Sequence, residues 1–372
     1  MPTFALSGRH ARVFWSKYDT AALLGHSGVS NNFLLGADEP TPSSLVKNPI
    51  TGTPGEWVGF PYLQSVSFTA EAGITQVTAL GLDNPAALEE IAIGLQDVSV
   101  DCLMQAVDEA KALFRLFKRV SDSNDPAYMH WPFVNLRVFL VGYTYYQGGL
   151  QSGKVYTWDI WSAIPRTLSL NQPESGATTL RVTFGGGYIY TAVQDTTVPP
   201  VSYDISKGIL NVFEGRVIFY DDANPPQPLN LDLPLYITSL SFDINNTVNA
   251  FHTFLANNFT DAKFMRAVRV PRAIMTGIQT ITGSMSVYAP REIVARLNIN
   301  KLQRFGQIDI LYYPYAGANA PSEVPTTHEF GIRLYNVKVV RSSVSLAPDR
   351  AVSLNINFQA THPTAEAWAL IE

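Results

Sequence analysis

Residues 63–68 read LQSVSF, and residues 237–242 read ITSLSF. Both alternate apolar with small hydroxyl side chains, the period of a strand that buries one face and wets the other. Further on, VYTWDIWSAIPRTLSL at 155–170 aligns without a gap on GIRLYNVKVVRSSVSL at 331–346. A third match follows, LRVTF at 180–184 with LNINF at 354–358. Three segments recur in the same order at separations of 174 to 176 positions, which is the signature of an internal duplication. Two related domains in one chain can occupy two neighbouring places of a symmetric ring. The repeat therefore points to assembly before it points to chemistry.

The elements around these matches also recur. A long strand follows in each half, over 91–104 and 274–288; in the second, Thr280, Thr282, Ser284 and Ser286 alternate with Ile281, Met285 and Val287. A helix comes next. AVDEAKALFRLFK at 106–118 sets Val107, Ala110, Leu113, Phe114 and Phe117 along one stripe. Its counterpart starts at Pro290, a natural first-turn residue, and continues through Ile293, Val294, Leu297 and Leu302. Strands over 137–146 and 307–313 follow, and turn signals stand at QPESG (172–176) and PDR (348–350). Arg12-Val13-Phe14-Trp15 matches Arg216-Val217-Ile218-Phe219 and supplies an opening strand. Each half reads as an α+β, mainly antiparallel β-sandwich or barrel with one helix.

The boundaries are 1–192 for the first domain, with a polar loop inserted at 19–57, then a linker at 193–208 in a Pro-containing stretch, then 209–372 for the second. In the second domain a segment at 245–272 carries Phe251, Phe254, Phe259 and Phe264 amid polar residues, a composition that asks for a partner surface. Its equivalent at 70–90 is a shorter loop.

Only 15% of residues are charged against 46% hydrophobic, with 17 Tyr, 20 Phe and 6 Trp. Low charge with many aromatics fits strands and covered interfaces. Formal net charge is -5, and Lys and Arg form no runs. Tight nucleic-acid binding, which needs a basic cluster, is disfavoured; the same sign suits a channel through which DNA slides without adsorbing. Cys102 is the only cysteine and lies in an alternating apolar stretch, so it reads as core and leaves no disulfide framework. The N-terminal MPTFALSGRHARVFW lacks a signal-peptide apolar run, and no stretch approaches the roughly 20 apolar residues of a membrane span. Synthesis and folding in the cytoplasm are expected.

Catalytic constellations are not evident. His10, His26, His130, His252, His328 and His362 are scattered without metal-ligand spacing. Ser44-Leu45-Val46-Lys47 has the spacing of a serine-lysine pair but lacks companion motifs and reads as loop. Gly185-Gly186-Gly187 reads as a strand end or bulge, Asp221-Asp222 before Asn224-Pro225-Pro226 as a turn, and Asn258-Phe259-Thr260 as an idle sequon. No enzyme, cofactor or metal is expected.

Where IQTITGSMSVY at 278–288 runs into the helix from Pro290, the chain resembles tail tube proteins of tailed bacteriophages. That family combines an opening strand, a long loop, a long polar-faced strand, one helix and a closing hairpin. The resemblance implies a ring of six domain positions, filled by three duplicated chains as a pseudo-hexameric homotrimer. Stacked rings would form a hollow tube in the virion tail, a conduit for genome ejection that viral DNA crosses without tight binding. Two strands of each domain would line the bore. The residues implied to face it are Ser65, Ser67, Thr69, Asp97, Ser99 and Asp101, with Ser239, Ser241, Asp243, Thr280, Thr282, Ser284 and Ser286. The segment at 245–272, with Phe251, Phe254, Phe259 and Phe264, would contact the adjacent ring and other tail proteins.

Two alternatives stand beside it. One is an initiator, terminator or baseplate adaptor of the same fold, with the loop at 19–57 serving a special neighbour. The other is a tandem β-sandwich carbohydrate-binding module using Trp57, Trp131, Trp158 or Trp161 as stacking platforms; against it, Trp158 and Trp161 align with Leu334 and Val337.

Overall fold

Period-two alternation commits most of the chain to strands, and backbone pairing then decides which of them meet. A computed structural model describes residues 5–6, 11–18, 46–69, 72–77, 87–93, 96–117, 120–122, 125–130, 134–146, 149–186, 188–194, 208–223, 225, 227–228, 236–251, 273–288, 304–313, 330–345, 353–360 and 370–371. The described part is mainly antiparallel β with one α-helix. The main strands of the first half are β1 (Arg12–Tyr18), β2 (Leu63–Thr69), β3 (Gln96–Leu103), β4 (Val134–Tyr146), β5 (Gly149–Gln172) and β6 (Thr179–Gly186). Those of the second are β7 (Gly215–Tyr220), β8 (Tyr236–Phe251), β9 (Ala273–Tyr288), β10 (Arg304–Tyr312), β11 (Phe330–Ser345) and β12 (Ser353–Ala360).

Pairing order is the same in both. The first set runs β1-β4-β5-β6-β3-β2, and the second runs β7-β10-β11-β12-β9-β8. The end of β5 also pairs with β8, from Thr167 opposite Asn245 to Gln172 opposite Leu240, and this seam joins the two sets.

One helix, α1 (Asp108–Arg115), packs over the seam. Its Phe114 ring lies 6.3 Å from Phe242 of β8 and 5.4 Å from Phe330 at the start of β11. Gln279 Nε2 on β9 donates to the Phe117 carbonyl (3.0 Å) and to Asn246 Oδ1 (2.9 Å), and Asn246 Nδ2 donates to the Pro165 carbonyl (2.9 Å). Tyr312 Oη donates across to Gln172 Oε1 at 2.6 Å. Most of the buried apolar side chains of both halves consequently form one continuous core, with Phe14 and Phe139 packed in a separate small cluster.

Several sequence expectations change. α1 is shorter than 106–118, because Gln105 is held in a bridge to Ile209 and Val107 is extended. The strand expected over 91–104 is two: Ala87–Ile93 forms a hairpin with Ala72–Val77, and β3 begins at Gln96. The loop expected at 70–90 therefore contains strands, since backbone pairing needs no apolar alternation. Residues 245–251, expected to open the segment at 245–272 between two strands, instead continue β8 to Phe251 opposite Ala273, backbone pairing carrying the ribbon past the weak strand formers Asn245, Asn246 and Asn249. A strand at Tyr188–Gln194 pairs with β5 and takes up the first residues of the expected linker. Val46–Lys47, expected as loop, pairs with Lys17 and Tyr18 of β1. The second helix from Pro290, Phe254, Phe259, Phe264 and most of the 19–57 insertion lie outside the described residues.

Gly283 carries one sharp packing consequence. It occupies the core face of β9, where an added Cβ would overlap the Phe358 ring and come within 2.8 Å of the Ser241 carbonyl oxygen. The equivalent position in the first set is Val98. Gly283→Val, although it copies the other half, should cost about 1–3 kcal/mol by overpacking. A urea midpoint unchanged from wild type would contradict this.

Candidate functional surface: the polar face of the long sheet

The seam makes one continuous antiparallel sheet of eight strands, β2-β3-β6-β5-β8-β9-β12-β11. Directly opposed residues share a face, so a polar row can be followed across it. Ser65 faces Asp101, Asp101 faces Arg181, Arg181 faces Ser169, Ser169 faces Asp243, Asp243 faces Thr282 and Thr282 faces Gln359. All the residues singled out from the sequence lie on this one face: Ser65, Ser67, Thr69, Asp97, Ser99, Asp101, Ser239, Ser241, Asp243, Thr280, Thr282, Ser284 and Ser286. The other face is the core, with Val98, Val100, Leu168, Leu170, Leu180, Val182, Phe242, Ile244, Met285 and Ile356 all buried.

The face is wider than the sequence reading made it. β5, β6, β11 and β12 add Thr167, Ser169, Asn171, Thr179, Arg181, Thr183, Arg341, Ser343, Asn355, Asn357 and Gln359. Their alternation was present, most cleanly in SLNINFQA at 353–360. Their membership of the same sheet depends on pairing across the seam.

Small hydroxyls tie the strands to one another. Ser241 and Ser284 share a hydrogen bond of 2.8 Å, Ser99 and Thr183 one of 3.1 Å, and Ser286 Oγ donates to Asn355 Oδ1 at 2.7 Å. The acids are partnered as well. Arg166 Nη1 donates to both Asp97 oxygens (2.5 and 2.6 Å), and Asp101 accepts from Ser65 Oγ (2.6 Å) and lies 3.5 Å from Arg181 Nε. Arg341 lies on the face opposite Asn357 and Lys338 opposite Gln359, so basic side chains are set among Asp97, Asp101 and Asp243. The face therefore carries both signs of charge, which the formal net charge of -5 does not reveal.

Two markers fix how the halves correspond. Bulges fall between Leu63 and Ser65 and between Ile237 and Ser239, and again between Pro165 and Thr167 and between Val339 and Arg341. Cross-strand ion pairs mark the same place with their charges exchanged. Arg137 of β4 binds Asp159 of β5 through Nε and Nη2 at 2.7 Å each, whereas Asp309 of β10 is bound by Arg333 of β11 at 2.8 and 2.9 Å. The hydrogen bonds to Asp309 hold the Arg333 guanidinium still more firmly protonated than usual. Burial and the neighbouring Asp309 raise the Tyr220 hydroxyl, which donates to that carboxylate at 3.0 Å.

Both markers set the β5–β11 offset at 174 positions, two fewer than the ungapped alignment of 155–170 on 331–346. Trp158 then corresponds to Ile332 and Trp161 to Tyr335, not to Leu334 and Val337. A slip of two keeps every side chain on its face, which is why the sequence could not reject it. Neither Trp57 nor Trp158 is an open platform: the Arg137 guanidinium lies 4.5 Å over Trp57, and the Phe68 ring stands edge-on to Trp158 at 4.9 Å. Trp131 lies outside the described residues.

Other sequence features settle into structure. Cys102 is buried on the core face, where burial raises its thiol pKa. Gly185 and Gly186 end β6 opposite Asp97 and Gln96. Asp221 Oδ1 accepts from the Ala223 and Gln227 amides and so closes a turn.

Two edges of the long sheet are incomplete among the described residues. β2 pairs only with β3, and the stretch Arg341–Ser345 of β11 pairs only with β12. No helix among the described residues is long and apolar enough to cross a membrane. No protein-family model matches the chain, and a search of curated proteins finds no match.

Proposed function

We propose that the chain is a structural subunit of a phage tail tube, acting without chemistry or cofactor. Its two domains, 1–192 and 209–372, would occupy two of six positions in a ring of three chains. Stacked rings would enclose the bore through which viral DNA leaves the virion. The observation that carries this reading is the unbroken polar face of the eight-stranded sheet, backed throughout by core. Such a surface offers passing DNA small hydroxyls and amides, with acidic side chains set among the basic ones that could otherwise grip phosphates. The repeated pairing order supports a two-domain chain, and the seam supplies a ready geometry for joining domains edge to edge. Beyond the sheet, β8 and β9 continue as a ribbon to Phe251 and Ala273, and the chain between them, with Phe254, Phe259 and Phe264, would reach the next ring.

Negative-stain electron microscopy of the purified protein, with mass measurement, tests this. Hollow rings of three chains with six lobes are expected. A monomer at every concentration, without rings or tubes, would remove the reading.

A further inference from the structure

The seam between β5 and β8 has a counterpart that is open among the described residues. By the 174-position correspondence, β5 Thr167–Gln172 is equivalent to the end of β11, and β8 Leu240–Asn245 is equivalent to the end of β2. The first pair of edges meets within the chain. Its equivalents, at β11 and β2, are the two edges left incomplete.

Burial separates the closed seam from the open edges. Leu170, Leu240 and Phe242 on the core side of the closed seam are at most 2% exposed. Their equivalents Val344, Val66 and Phe68 pack against the core but stay only half-buried. An apolar side chain on the core side of an unpaired edge calls for a neighbouring strand to finish its cover, and an open edge is itself a template for one.

We infer that the β11 edge pairs antiparallel with the β2 edge of a second copy of this chain, with Ser343 opposite Thr69, Val344 opposite Phe68 and Ser345 opposite Ser67. The register transfers from Ser169 opposite Asp243, Leu170 opposite Phe242 and Asn171 opposite Ser241 in the closed seam. It carries the polar face from one chain to the next without a break, because Ser343 and Thr69 both lie on that face. The inference rests on the ring assembly proposed above and names the strands and residues that would make it.

Cysteine pairing tests both seam and register. Thr69→Cys with Ser343→Cys places thiols at exposed positions, and the sole native thiol, Cys102, is 1% exposed and does not compete. Opposed residues of an antiparallel pair stand about 4.5–5.5 Å apart at Cα, within disulfide reach. Thr69→Cys with Ser345→Cys is the control. Two residues out of register, its Cα separation is about 8 Å, beyond that reach.

Mild oxidation and a non-reducing gel should convert most of the Ser343 variant into covalent dimers and trimers and leave the Ser345 variant at least tenfold less linked. Preferential linking of the Ser345 variant would overturn the register. Rings by microscopy with neither variant linked would overturn the seam and leave the ring reading standing. No rings and no linking would remove both.

Discussion

Replacing Asp159 with alanine should destabilise the protein by about 3–5 kcal/mol, the usual cost of leaving one member of a buried ion pair without its partner. Asp159 is 1% exposed and takes two 2.7 Å hydrogen bonds from Arg137, whose own side chain is 17% exposed. Truncation removes both of these hydrogen bonds from a guanidinium that is largely withdrawn from water. The exchange R137D/D159R should recover most of the loss. The second half of the chain already carries this arrangement, with Asp309 on the strand equivalent to β4 and Arg333 on the strand equivalent to β5. Recovery should stop short of completion, because exchange gives up the Arg137 stacking on Trp57, worth about 0.5–1 kcal/mol. Urea unfolding of wild type, single and double variants decides the matter. A double variant no more stable than D159A would mean that the two sites are not interchangeable.

Val344→Lys should abolish assembly while leaving the monomer folded. Val344 lies on the core side of the β11 edge, is half-buried, and corresponds to Leu170, which is 1% exposed in the closed seam. At an open edge the lysine stem can reach water sideways. Once a second strand covers that edge, the ammonium would be buried without a partner, and inward-pointing charge is how natural edges prevent pairing. The measurement is ring formation by microscopy beside the unfolding midpoint of the same preparation. Rings at wild-type yield would show that this edge is not used.

The opening strand matches, the order of elements and the polar residues of β2, β3, β8 and β9 were legible because alternation records which side chains meet water. The hairpin at 72–93 was not, since AGITQV and ALEEIAI carry no clean period and are held by backbone pairing. Net charge left the polar face unread. The total of -5 says nothing of where Arg166 and Arg181 fall, and the fold sets them against Asp97 and Asp101.

The amino-acid sequence by itself determined the recurrence of three segments in the same order and the polar and apolar sides of β2, β3, β8 and β9, since residue type at period two carries the faces. It left the register between the halves free by two residues, because such a slip exchanges no faces. Bulges, the charge-exchanged ion pairs and the β5–β8 seam removed that freedom. These belong to tertiary structure alone: backbone hydrogen bonds join strands without regard to side-chain identity, so only the folded chain shows which edges have met and which remain open.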